Sequence, residues 1–327
     1  MKRRLFSFVG LAMFSLAMLA QQTSYKEGLV DSKILNHMDI AVTGGSTGIG
    51  LDLSMPIGNS VTVRSGFTFV PSIFNDITMG IQIGDDKLSQ AEQNKKFEKM
   101  ASFVEGFMGT KIDQNIQMRR IPNFNNFKFL VDVHPLRNKN WFVTGGFYWG
   151  PTTIARAENA AIDGTSLVGV AMYNKLYDAA VNDEPLYDNV YLDPEIAAKF
   201  IRNGRMSVHL GDFKDTERNR KNGRTGGYRL VPDENNMIKC KLNVNSFRPY
   251  IGFGYGGRIV KNSDMYHVYV NCGAMFWGGT PKLYTHDGVD LINDVMNIGG
   301  SVGDNVRFFK KFKFFPVLEL RLAHKIF

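Results

Sequence analysis

The chain has 327 residues, with 39 Lys and Arg against 31 Asp and Glu and a formal charge of +8. That balance is too mild for a nucleic-acid-binding protein, and two cysteines are too few for a disulfide scaffold. Aromatic residues make up 12% and charged residues 21%, with 33 glycines, which fits a β-rich protein that presents apolar surface to something other than water.

The N-terminal "MKRRLFSFVGLAMFSLAMLAQQTS" places three cations before an apolar run from Leu5 to Ala20. This is the pattern of a secretory signal peptide, with cleavage expected after Ala20 and a lead segment over 21–35. Without Lys2, Arg3 and Arg4 the balance is 36 cations to 31 acids, a net of +5. After this leader no apolar run reaches the ~20 residues of a membrane helix. A membrane-spanning form of residues 36–327 must therefore cross as strands.

Thr43–Gly50 reads "TGGSTGIG", the spelling of a dinucleotide-binding glycine loop. Such a loop needs a helix directly after it, to offer free N–H groups to phosphate. Here Pro56 and Gly58 break any helix within two turns, and Ile49, Leu51, Leu53 and Met55 alternate with small or polar residues. None of the twelve tyrosines has a lysine four residues on, as a short-chain dehydrogenase requires. The glycines instead predict a tight turn between two strands.

Eight segments carry the period of two expected of strands. They are "HMDIAVT", "TGIGLDLSM", "SVTVRSGFTFV", "NFKFLVDVH", "WFVTGGFYWG", "FRPYIGFGYGGRIV", "MYHVYVNCGAMFWG" and the C-terminal "FKFFPVLELRLAHKIF". Most have the nine to eleven residues with which a tilted strand crosses a bilayer. Connections at one end are short: "PIGN", "PLRNKN" and "VKNSD". At the other end, apart from the first tight turn, they are long, over Pro71–Ile121, Pro151–Asn245 and Gly278–Lys311. Segregated loop length of this kind marks outer-membrane barrels. The expectation is an all-β, eight-stranded antiparallel up-and-down transmembrane barrel with long, partly helical extracellular loops at about 71–121, 151–245 and 278–311. "DITMGIQI" and "NMIKCKLN" leave ten strands open.

Within the loops, Phe97, Met100, Ala101, Val104 and Met108 form one helical stripe, expected to pack over the barrel mouth. A second helix is expected between Pro194 and the stop at Gly204. The basic run that includes Arg218, Arg220, Lys221 and Arg224 suits phosphate and carboxylate, and is a candidate contact for lipopolysaccharide or glycan. The faces turned away from lipid carry Asp52, Arg64, Lys128, Asp132, Arg248, Arg258, Glu319 and Arg321. Eight strands enclose just enough room for side chains, so these charges are expected to pair and fill the lumen, with inner glycines making room for the arginines.

Six histidines show no metal spacing, and no HExxH, CxxC or GxSxG occurs, so neither a metal nor a cofactor is expected. A lipid-modifying site at the outer rim would draw on His209 or His286; a small pore for apolar solutes is a further alternative. Cys272 is expected to face lipid, far from Cys240.

The hairpins "GIGLDLSMPIGNSVTVRSGFTFVP" and "FKFLVDVHPLRNKNWFVTGGFYWG", with "FRPYIGFGYGG", resemble those of small Gram-negative outer-membrane barrels, broadly the OmpA/OmpW-like group. Phe327 resembles the terminal aromatic read by the barrel-assembly machinery, although it lies on the opposite parity to Leu318, Leu320 and Leu322. The resemblance implies an exported monomer of the outer membrane. Its partners would be outer-membrane lipid and lipopolysaccharide, with the assembly machinery during biogenesis. Its role would be structural or surface-interacting, not enzymatic.

Overall fold

A computed structural model describes residues 37–57, 60–72, 76–84, 89–109, 111–137, 139–160, 163–260 and 263–326. The expected leader, the lead segment and Phe327 lie outside these residues. Eight strands close into an antiparallel barrel: β1 (Asp39–Gly45), β2 (Gly48–Ile57), β3 (Val61–Phe69), β7 (Asn126–Val133), β8 (Trp141–Trp149), β13 (Phe247–Arg258), β14 (Tyr266–Phe276) and β17 (Phe314–Lys325). The last strand pairs with the first, from Asp39 with Lys325 to Gly45 with Glu319. No strand of the ring has an open edge, the condition for a sheet to cross a bilayer with its backbone groups satisfied.

The barrel is inside out. Val42, Leu51, Phe67, Phe129, Val143, Phe253, Val270 and Leu320, one from each strand, are 38–56% exposed on the outer face. The alternate positions point inward and are buried, charged residues included. A water-soluble protein buries the first set and exposes the second. The apolar belt is therefore a lipid-facing surface.

The "GGST" stretch is the β1–β2 turn, Ser46 and Thr47 between the paired Gly45 and Gly48. Gly48 has φ +97°, and a Cβ there would lie 2.1 Å from the Phe69 carbonyl oxygen. At Gly45 a Cβ would meet the Leu318 carbonyl oxygen at 2.0 Å. These glycines thus serve a left-handed turn and close backbone approach at the seam. Pro249 and Pro316 are each the third residue of their strands, next to the long loops, where the missing N–H does least damage to the ladder.

Above the long-loop end the wall continues on one side only. A five-stranded sheet of β15 (Lys282–Thr285), β12 (Lys239–Asn243), β9 (Thr153–Asn159), β6 (Asn115–Pro122) and β4 (Ile77–Gly80) repeats the order β14, β13, β8, β7, β3 below it. Each upper strand adjoins its barrel strand in sequence. "DITMGIQI" and "NMIKCKLN" supply β4 and β12, so they heighten the wall and add no ninth or tenth strand. Over β17, β1 and β2 the wall stops at the two-residue turn. A second small sheet orders β11 (Gly227–Leu230), β10 (Met206–Phe213) and β16 (Val295–Met296), with β5 (Gln82–Ile83) also on β10.

Among the described residues five helices pack around these sheets: α1 (Gln90–Met108), α2 (Gly164–Asn182), α3 (Pro194–Asn203), α4 (Glu217–Lys221) and α5 (Gly300–Lys311). In α1, Ser89 and Glu92 form a reciprocal capping box and Gly109 ends the helix at φ 67°, both standard terminators. Phe97, Met100, Ala101 and Val104 are buried. Asp193 caps α3 by accepting from the N–H groups of Glu195 and Ile196, with Pro194 in its first turn. One hydrophobic core runs from Leu130, Tyr148, Met275 and Val317 in the barrel up through Ile116, Met118 and Leu242 into this surface domain.

The cysteines test both compartments. Cys240 is buried in β12, where burial and the nearby Asp287 charge push its thiol up to about 12; Cys272 is exposed on the outer face of β14. Thiolate is the reactive form. In Cys272→Ser protein, a charged maleimide at pH 8 is expected to leave Cys240 unmodified until the chain is denatured, as read by mass spectrometry. A nitroxide placed on Cys272 should be relaxed by oxygen and shielded from an aqueous nickel chelate.

Candidate functional site in the lumen and at the barrel mouth

Six of the charges from the inner strand faces meet at one level. Arg64 on β3 donates from Nη2 to Asp132 Oδ1 at 2.9 Å, and its Nε lies 2.6 Å from Asp132 Oδ2 as an ion-pair contact. Its Nη1 lies 3.4 Å from Glu319 Oε1 and 3.7 Å from Asp52 Oδ2. Lys128 Nζ bridges Asp52, at 2.9 Å from Oδ1, and Glu319. Arg321 Nη2 is 4.0 Å from Asp132, and its guanidinium stacks 4.0 Å over the Tyr269 ring. Three cations face three carboxylates, so the layer has no formal net charge. That balance matters because an isolated ion in so dry a place costs several kcal/mol.

Neutral groups complete the set. Thr144 Oγ1 donates to Asp132 Oδ1 at 2.7 Å. With its amide oxygen turned inward, Asn271 accepts from Arg64 Nη1 and Nη2 at 3.2 and 2.7 Å. The contacts thus join β2, β3, β7, β8, β14 and β17. Asp52 and Arg64 are diagonal neighbours, since Asp52 pairs with Gly66 and Ser54 with Arg64. Thr144, Asn271 and Tyr269 carry no formal charge, so a search for charged inner positions passes over them.

Two of the eight expected members stand apart. Arg248 is buried but lies higher, at the mouth. It donates to Asn126 Oδ1, to the Asn245 carbonyl at 2.7 Å and to the Pro151 carbonyl at 2.5 Å, over the Phe124 ring. Arg258 ends β13 at the short-turn rim, 57% exposed, and pairs with Asp264 at 2.7 Å. Strand parity alone puts both residues inside; height along the strand separates them from the central layer.

The charge layer is enclosed from above and below. Above it, Tyr148, Tyr250, Met275 and Val317 are all buried, Tyr148 meets Tyr250 edge to face at 5.4 Å, and buried Leu130 lies between Lys128 and Asp132 on β7. Below, buried Phe142 packs on Tyr269 at 6.0 Å and His134 at 5.4 Å. The inner glycines make room mainly for this filling and not for arginines. A Cβ on Gly252 or Gly273 would strike the Tyr250 hydroxyl, on Gly254 the Phe142 ring, on Gly256 the Tyr269 ring and on Gly66 the Asp52 carboxylate.

In the surface domain each of the four basic side chains has a carboxylate neighbour, two of them sharing Asp294. Arg218 and Arg224 each lie 3.7 Å from Asp294, Arg220 lies 3.2 Å from Asp215, and Lys221 lies 2.7 Å from Glu217. His286 is fixed by backbone: its Nε2 donates to the Val231 carbonyl at 3.0 Å, and its Nδ1 accepts from the Lys239 N–H at 3.4 Å. His209 lies on β10, paired with Arg229. Among the described residues no three His, Cys, Asp or Glu side chains converge as a metal site.

Removing one partner of a buried ion pair costs roughly 3–5 kcal/mol, because it strands the others. Arg64→Met is therefore expected to lower unfolding stability by that amount in phospholipid vesicles, followed by urea titration. Arg258→Met, at the exposed rim, is expected to cost under ~1 kcal/mol.

No protein-family profile and no curated protein sequence matches this chain. Among solved structures it is similar to CarO2 of Acinetobacter baumannii, at 15% identity and TM-score 0.36, covering 89% of this chain and 99% of that one. CarO of the same organism gives 14% and 0.33, covering 90% and 99%. A major outer membrane protein of Thermus thermophilus gives 11% and 0.28, covering 89% and 98%. Scores this low leave the assignment with the barrel itself. Its closed eight-stranded ring, lipid-facing belt, charged interior and one-sided long loops are those of an outer-membrane β-barrel protein.

Proposed function

We propose that this protein is a non-conducting, non-enzymatic anchor that holds a folded domain at the outer surface of the cell for contact with ligands or other surfaces. The observation that carries this reading is the stack of three buried layers in the lumen: aromatic floor, neutral charge layer and apolar cap. Ion conduction needs a continuous wet path, and here the charges sit between apolar layers. The core that continues from the cap into the surface domain supports a rigid mount, as opposed to a gate that swings. The ring has no open edge, which favours a monomer in outer-membrane lipid, with lipopolysaccharide around the surface domain.

A lipid-modifying enzyme would hold a nucleophile or base poised at the rim. The backbone bonds at both ring nitrogens of His286 favour a structural part for it. Purified protein in planar bilayers is expected to give no unitary current steps, while folded barrel is verified by faster migration of unboiled samples on gels. Reproducible channel openings at low voltage would overturn the closed-lumen reading. Cells carrying His209→Ala and His286→Ala together are expected to keep an unaltered lipid profile.

A further inference from the structure

We propose that the low side of the rim is a binding site for a phosphate-bearing acyl lipid, with hydrocarbon held in an aromatic pocket and phosphate held by Lys311 and Lys313. The pocket has a volume of about 270 Å³ and is lined by Phe124, Leu242, Trp277, Phe309, Phe312 and Phe315. Ser46 brings a hydroxyl to a wall that is otherwise aliphatic and aromatic. An apolar cavity of ~150 Å³ already takes up benzene, so this volume accepts a longer hydrocarbon segment.

Its place in the fold selects the occupant. The floor is the apolar plug of the barrel mouth, where Phe315 meets Phe124 at 5.2 Å and Trp277 at 5.5 Å. The upper sheet and α5 cover it. Ser46 and Pro316, both exposed, mark the side where the wall is only a two-residue turn high. Just outside that side lie the lipid-facing Ile49, Leu318 and Leu320. A chain entering the pocket there leaves one apolar medium for another.

The charge at the opening supplies the second half of the ligand. In "KKFKFF" the residues change role one by one. Phe312 lines the pocket, Lys311 and Lys313 on either side of it are exposed, and Phe314 is the first residue of β17 and part of the lipid belt. Lys313 therefore sits at the edge of the hydrocarbon, where phosphates of a bilayer lie. Among the described residues neither lysine, nor Lys310 before them, has a carboxylate partner, whereas Arg307 is paired with Asp304 at 2.5 Å. Complementing the C-terminal end of the α5 dipole accounts for Lys310 and Lys311, but Lys313 lies beyond the helix. Two exposed cations that flank the pocket-lining Phe312 and have no carboxylate partner match an anionic head on an acyl tail.

This site requires the rim to lie at the membrane surface and is independent of whether the lumen conducts, so bilayer currents and the following measurement separate the two readings. Trp141 and Trp149 face lipid; with both changed to Phe, Trp277 alone reports from the pocket. In nonionic detergent, lysophosphatidic acid with a dibrominated acyl chain is expected to quench Trp277 saturably. Its half-saturating concentration should be at least tenfold lower than that of the matching brominated monoacylglycerol. Lys311→Glu with Lys313→Glu should erase the preference, and Ala155→Phe, which fills the pocket, should abolish quenching while the heat-modifiable gel shift remains. Displacement of the probe by unbrominated phosphatidylglycerol would identify a phospholipid as the source, and displacement by lipid A alone a glycolipid. Absent or unsaturable quenching, equal affinity for both probes, or a preference that survives charge reversal would overturn the proposal.

Discussion

The structure depends on how a sheet satisfies its backbone in hydrocarbon. Every N–H and C=O at that depth must find a partner within the protein, and a closed antiparallel ring does this without an edge. Closure at eight strands then fixes the rest. Alternate side chains must go inward, into a space too narrow to hold bulk water, and the charges they carry must be balanced by one another. The pairing of Arg64 with Asp132, Asp52 and Glu319, and of Lys128 with the latter two, answers that requirement. Two of the carboxylates come from opposite ends of the sequence, which makes the layer a long-range tie across the ring as well as a filling.

The same constraint explains the composition of the strands. A lumen crowded by Tyr148, Tyr250, Phe142 and Tyr269 needs facing positions without side chains, and Gly252, Gly254, Gly256 and Gly273 provide them. Large rings and glycines are therefore two parts of one packing solution. Outside, branched and aromatic residues meet lipid without any such fitting, which is why that face varies in size along every strand while its polarity does not.

Much of the barrel was legible because its two faces differ in polarity at every second residue and because loop length is segregated by end. Those two signals gave eight strands with ten left open, their direction, and eight inward charges, of which six form the central layer. Less legible were features set by height and by pairing between distant loops. Arg248 and Arg258 have the inward parity of Arg64, but parity carries no information about level. Helices α2 and α5 were not legible either: α2 is apolar around much of its surface, and α5 begins with two glycines and a serine. The strands of the surface domain are short, two to eight residues, and acquire their stability from partners far along the chain. "DITMGIQI" and "NMIKCKLN" showed strand character without showing that they stack above existing strands.

The uneven height of the wall bears on how the protein can be built. β1 and β2 contribute nothing to the upper sheet, whose members all belong to the arc from β3 to β14. That sheet can therefore pair and acquire its core before the terminal strands meet. The final joining of β1 to β17 then needs only seven residue pairs beside a hairpin tip. A fold whose bulkiest part can be completed before its cylinder is sealed allows the last step of insertion to be small and local.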